Sequence, residues 1–286
     1  MLRSRGRVVV LVITGGILIS LAYLGVQPEQ SITVPVGAEP GSLVMEQCDY
    51  DTEAGALAAE CGALVVPESR RDPASDLIAL PVTRIRASAS RPAEPIFRLG
   101  GGPGATNMSF PEASRLTDHH EVVLVGYWGV DGSRRLDCPE VAAAMQSAAG
   151  LAGRKTLPAT TRAFAACADR LTGGGADLTA YSVVQRVEDM EAARTALGYP
   201  RINLLSSSAG TRTAMVYSWR YPEALHRSVM ISVNPPGHFF WDPRTTDSQF
   251  AQYTQLCRAD AACVARPPRS PTVGVLSPSR TPTSAS

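Results

Sequence analysis

The apolar and polar positions of this chain fall into short β-branched runs that give way, once, to a long helical period. "ALVVP" (63–67) and "LIALPVTRI" (77–85) are bounded by turn residues and predict strands. "PIFRLGGGPG" predicts a third strand running into a glycine loop. "EVVLVGYWG" (121–129) predicts a fourth, apolar throughout, as expected of a strand covered on both faces. In "SVVQRVEDMEAARTALG" the residues Val183, Val187, Met190, Ala193 and Leu197 share one helical face, and Gly198 is placed to end the helix. "RINLL", "SSSAG", "TRTAMVYSWRY" and "HRSVMISV" then read as strand, tight turn, helix and strand, a crossover unit that predicts a parallel sheet interior. No internal repeat interrupts this order.

The flanks differ from this middle. Arg3, Arg5 and Arg7 precede the uncharged apolar run 8–26, the pattern of an export signal or an uncleaved signal anchor. The basic flank is expected inside and the bulk of the chain outside, with membrane contact through residues 8–26 if the signal is retained. Residues 27–45 read as a linker, 46–242 as the amino-terminal part of a catalytic core, and 243–264 as the start of a lid. Residues 265–286, rich in Pro, Ser and Thr, are expected to be disordered.

With 286 residues and 44% hydrophobic content, the chain can bury a substantial core. A net charge of +1 supplies no field for gathering nucleic acid, and no basic cluster interleaves with aromatics, so a nucleic-acid partner is excluded. The six cysteines suit an oxidising compartment. Sequence allows about fifteen connectivities; proximity favours Cys48 with Cys61, Cys138 with Cys167 and Cys257 with Cys263. No histidine lies at finger-like spacing from a cysteine pair, so neither a zinc site nor any other metal or cofactor is expected.

Chemistry concentrates in "SSSAG". A nucleophile elbow has the form small-x-Ser-x-Gly because its serine occupies a strained turn between strand and helix. Aligned on Gly210, the nucleophile is Ser208, with Ser206 in place of the usual first glycine. The helix beyond directs its N-terminus and the Ala209 amide toward a forming oxyanion. "GGGPG" (100–104), after the third strand, offers a second donor, since residues without side chains let N–H groups approach a substrate carbonyl. The two motifs in this strand order predict an α/β-hydrolase fold: a mostly parallel sheet with helices on both faces, incomplete at its carboxyl-terminal side.

"LGGGPG", "VVLVGYWGVDGSRRLDCPE", "DMEAARTALGYPRINLLSSSAGTRTA", "WRYPEALHRSVM" and "NPPGH" together resemble the exported actinobacterial serine hydrolases related to tripeptidyl aminopeptidases and proline iminopeptidases, from about Cys48 to Cys263. The resemblance implies hydrolysis of a peptide bond at the amino end of a peptide, or of an ester, through an acyl-enzyme. It places the nucleophile on Ser208 and the oxyanion donors on Ala209 and Gly102. Two departures stand out: Trp128 occupies a position where the family carries an arginine, and the family is far longer.

In this fold the acid and the histidine follow the nucleophile in chain order, yet only one further strand is predicted after Ser208. Of the four histidines, His119, His120 and His226 are expected at the opposite end of the strands. His238 alone is expected on the nucleophile's side, where it is a candidate substitute base with Asp242 or Asp247 to orient it. The expectation is a serine hydrolase impaired by loss of its acid and histidine, represented here by the amino-terminal part of a longer protein. The rivals are a non-catalytic peptide-binding protein, exported or membrane-anchored, and an inactive remnant.

Overall fold

In the computed structural model, which describes residues 32–146, 156–237 and 242–265, the apolar runs assemble into a seven-stranded sheet of order β1-β2-β3-β5-β4-β6-β7. The strands are β1 (Leu43–Thr52), β2 (Gly55–Pro67), β3 (Leu77–Ile85), β4 (Ala93–Leu99), β5 (His120–Val125), β6 (Ile202–Ser207) and β7 (Leu225–Ile231). Between and after them lie α1 (Pro139–Gln146), α2 (Thr156–Gly173), α3 (Val183–Ala196) and α4 (Ala209–Arg220). The chain divides into two compact units, one ending at Pro236 and the other starting at Gly237. The second contains α5 (Pro243–Ala259) and α6 (Ala261–Val264), joined by a Cys257–Cys263 disulfide. The export segment 8–26 and the tail 266–286 lie outside the described residues. Among those described, no helix is long and apolar enough to cross a membrane.

The parallel interior comprises β5, β4, β6 and β7, paired in parallel as the crossover pattern predicts. The amino-terminal side is antiparallel: β1, β2, β3 and β5 pair in that sense. The strand expected at 63–67 is the end of a 13-residue strand whose first half, rich in Ala and Gly, lacks the β-branched signal. Residues 43–45, read as linker, are the start of β1, and the preceding turn is tied to the sheet by Gly41 N–H on Val65 O. The run 121–129 ends its strand early, at Val125, because the chain turns tightly beside β3. A Cβ at Gly126 would stand 2.6 Å from the Pro81 ring.

Alternation along β5 divides its side chains between two cores. Val123 and Val125 join Phe97, Leu99, Leu204 and the inner faces of α3 and α4, namely Val187, Met190, Ala193, Ala214 and Tyr217. Val122 and Leu124 point the other way, against Ile85, Phe110 and Ala113. Each buried Val, Leu, Ile, Met or Phe among them contributes about 1.5–3 kcal/mol. The predicted face of α3 is therefore the observed one, and Gly198, at φ +75°, ends the helix. The proximity pairing of the first unit's cysteines is also observed: Cys48–Cys61 links β1 to β2, and Cys138–Cys167 links the residue before α1 to α2.

One feature of α3 has no apolar signature. Asp189 is 1% exposed and accepts a hydrogen bond from Arg70 at 2.6 Å, while its other oxygen is buried without a partner. Burial, only partly opposed by Arg70, raises its pKa to about 7. Folded protein thus holds a proton that unfolded chain releases at its ordinary value of 3.8, so this group adds stability as pH falls through 7. Glu60 acts in the opposite direction at lower pH. Desolvation works against its charge, yet Arg84 and Arg86 outweigh it and hold the carboxyl below its ordinary 4.5. The melting temperature should therefore rise from pH 8 toward pH 6 and fall below the ordinary carboxylate range. In Asp189→Asn the upper slope should vanish. Identical slopes in the two proteins between pH 6 and 8 would contradict this assignment.

Candidate functional site

Two described non-glycine residues take a positive φ, Ser208 in the turn between β6 and α4 and Ser232 after β7. Ser208 sits at φ 50°, ψ −124°, a conformation that L-residues rarely adopt. Its N–H donates to Ile231 O at 2.9 Å and its carbonyl accepts the N–H and the hydroxyl of Thr211, at 3.0 and 2.6 Å. The Thr211 hydroxyl in turn accepts the Asn234 N–H at 2.8 Å, which ties the start of α4 to the chain after β7. Although Ser208 occupies the N-cap position, its own hydroxyl makes no capping bond. The residue is exposed, so the hydroxyl faces solvent at the end of β6.

Two small residues make this turn possible. Ser206 is 1% exposed and donates to Val229 O at 3.1 Å, so a side chain fits where a glycine is usual by finding a partner on β7. Gly210 cannot be replaced in this way, because a Cβ there would stand 2.4 Å from Leu99 O. This close approach brings the glycine loop after β4 beside the serine. A Cβ at Gly101 would lie 3.0 Å from the Ser208 Cβ and 3.6 Å from its Oγ. Gly102 follows at φ +127°, before a cis bond to Pro103. The sequence-derived group of Ser208, Ala209 and the glycine loop is thus gathered in one place. No described residue accepts the N–H of Ala209, Gly101 or Gly102.

The charges around the site were less visible in the sequence. Arg98, on β4, donates to Ser207 Oγ at 3.3 Å and lies 5.0 Å over the Phe110 ring; burial holds its pKa below the usual value. Arg186 stacks 3.9 Å from the Tyr127 centroid, and burial pushes the Tyr127 hydroxyl up to about 12. Trp128, the departure from the resembled family, is 7% exposed and meets Tyr181 edge-on at 5.5 Å. The Arg70 guanidinium lies 6.0 Å from the centroid of the Trp128 ring. Asn107 was also missed: its residue type carries no catalytic signal, and its role is legible only from its partners.

The candidate bases separate. His120 begins β5 and bonds Glu94 O through Nδ1 at 2.7 Å, while His226, near the start of β7, lies 3.6 Å from the Glu94 carboxylate. Both stand at the starts of parallel strands, opposite the end that carries Ser208. His119 precedes β5 at the same end, its carbonyl accepting from Ala93 N–H. His238 lies outside the described residues. Asp242 serves as the N-cap of α5, accepting from Arg244 N–H at 3.1 Å. No described His, Asp or Glu hydrogen-bonds the Ser208 hydroxyl, and no described cluster of such residues could hold a metal ion. A cavity of about 1520 Å³ over β1–β3 is lined by Val44, Ala63, Pro81 and Thr106 among others and does not include Ser208.

Residues 94–273 match the alpha/beta hydrolase fold family. The chain is similar to the tripeptidyl aminopeptidases of Streptomyces lividans and Streptomyces coelicolor. Identity to each is 27% over 212 residues, covering 67% of this chain and 38% of the relative. The chain thus spans well under half the length of these curated relatives. Among solved structures, an alpha/beta hydrolase from Novosphingobium aromaticivorans is similar at 15% identity and a TM-score of 0.37, covering 73% of this chain and 50% of that one. A serine hydrolase from Cycloclasticus zankles is similar at 13% identity and a TM-score of 0.36, with 74% and 53% covered.

Proposed function

The chain belongs to the α/β-hydrolase family, and from that premise we propose that it is a serine hydrolase acting on a peptide or ester carbonyl through Ser208. The observation that carries this reading is the backbone of Ser208: a positive φ at a non-glycine residue, with the hydroxyl free of capping and exposed beside a glycine loop. In the proposed step, Ser208 Oγ bonds to the carbonyl carbon and the C=O pair moves onto oxygen. The N–H groups of Ala209 and of Gly102 receive that charge. The Ser208 proton passes to water; collapse of the adduct then breaks the bond to the leaving amine or alcohol, which takes up a proton from water, and leaves an acyl-serine that a second water hydrolyses to the acid and free Ser208. An oxyanion hole without the rest of a triad still supports a rate about 10³–10⁴ above water. The described residues supply no acceptor for the Ser208 proton, so the activity proposed is weak. Its fitting test substrates are activated esters and short peptides with a free amino terminus, the latter in line with the Streptomyces relatives.

The same lack of a bonded base favours a second reading, an exported or membrane-anchored protein that binds peptides without cleaving them. A fluorophosphonate probe separates the two. Mass spectrometry of folded, probe-treated protein should find one adduct, on the peptide containing Ser208. Folded protein that binds peptide yet forms no adduct would favour the binding reading, and absence of both would sink the two together.

A further inference from the structure

The glycine loop rests on a side chain that the proposed step does not use. Asn107 is 2% exposed, and its side-chain amide and its backbone N–H are all engaged. Its Oδ1 accepts Gly100 N–H at 2.7 Å, its Nδ2 donates to Arg98 O at 3.0 Å and to Val125 O at 2.8 Å, and its own N–H donates to Asp131 Oδ2 at 3.0 Å. The same Asp131 oxygen accepts Tyr127 N–H at 2.8 Å, and the Tyr127 hydroxyl donates to Gly100 O at 3.3 Å. Gly100 is therefore held at both its N–H and its carbonyl, while α4 presses on it from the side of Gly210. The loop's first unbonded amides are those of Gly101, which lies beside the Ser208 side chain, and of Gly102 after it.

Among side chains of this length, only asparagine meets these three demands at once. Aspartate offers no donor to the carbonyls of Arg98 and Val125, alanine leaves all three buried groups unpaired, and serine is too short to span them. We infer that Asn107, clamped by Asp131, is a positioning residue that withdraws the Gly100 amide from the site and presents the Gly101–Gly102 amides to the oxyanion formed at Ser208. This role rests on the reading of Ser208 as nucleophile. An oxyanion donor is worth about 10²–10³ in rate, and displacement of a reacting group by about 1 Å can cost 10²-fold. Losing the brace should therefore cost about 10- to 100-fold.

The test uses the full chain and the rate constant for fluorophosphonate adduct formation on Ser208, measured alongside hydrogen exchange. Asn107→Ala should slow adduct formation by at least about tenfold and lose protection in the peptide spanning Gly100, while peptides of α3 and β5 keep theirs. Asp131→Ala should slow it similarly, and Asp131→Asn, which keeps an acceptor oxygen for both N–H groups, should recover most of the loss. A brace with only a structural role predicts general loss of protection, with an unchanged rate for the molecules that remain folded. An adduct on wild type with an unslowed Asn107→Ala overturns the positioning role alone. No adduct on folded wild type overturns the hydrolase reading and this role with it.

Discussion

Gly210→Ala will destabilise the fold by about 3 kcal/mol, lowering the melting temperature by roughly 6–12 °C for a chain of this size. In an ordinary first helical turn the change would be mildly favourable, since alanine exceeds glycine in helix propensity by about 1 kcal/mol. Here the new Cβ would stand 2.4 Å from Leu99 O, 2.6 Å from Gly100 O and 2.8 Å from Leu99 C. All three are backbone atoms at the end of β4 and have no rotamer through which to withdraw. Either α4 must lift from the sheet, opening the packing of Ala214 and Tyr217 against Phe97 and Leu99, or β4 must shift against β6. Denaturant unfolding of the two proteins measures the difference, and an unchanged midpoint would mean that α4 does not approach β4 this closely.

Gly101→Ala is expected to act on reactivity instead. Gly101 has no positive φ, so alanine meets no backbone strain there. Its methyl would stand 3.6 Å from Ser208 Oγ and 3.0 Å from Ser208 Cβ, in the space an attacked carbonyl carbon has to enter. Adduct formation by a fluorophosphonate should fall by about 100-fold or more, a loss comparable with removing an oxyanion donor. Stability should change by about 1 kcal/mol. A rate within a factor of a few of wild type would show that the substrate approaches Ser208 from a side the loop does not border, and would redirect the search for the second donor.

Much of the arrangement around Ser208 was legible in the sequence. The elbow at Ser208 and the glycine loop are local features, determined by small residues at fixed spacing, and they emerged with the strand and helix on either side. The helix face of Val187, Met190 and Ala193 and the cysteine pairs were local for the same reason. What escaped was non-local or lacked a hydrophobic period. β1 and the first half of β2 are partly exposed hairpin residues with weak strand propensity, stabilised by 10 cross-strand partners rather than by their own side chains. Asp189 interrupts an otherwise ordinary helix pattern, and its partner Arg70 lies 119 residues away.

The sequence by itself determined the class of fold, the order of β2 to β7 with α3 and α4, and the serine that the turn after β6 presents, because periodicity and steric tolerance act over a few residues. Only the tertiary structure decided which glycine lies beside that serine, which amide Asn107 engages, and that Asp189 is buried against Arg70. Those outcomes depend on the approach of α4 to β4, on how the chain after β4 folds back over its own start, and on a contact between residues 119 apart, none of which a local pattern encodes.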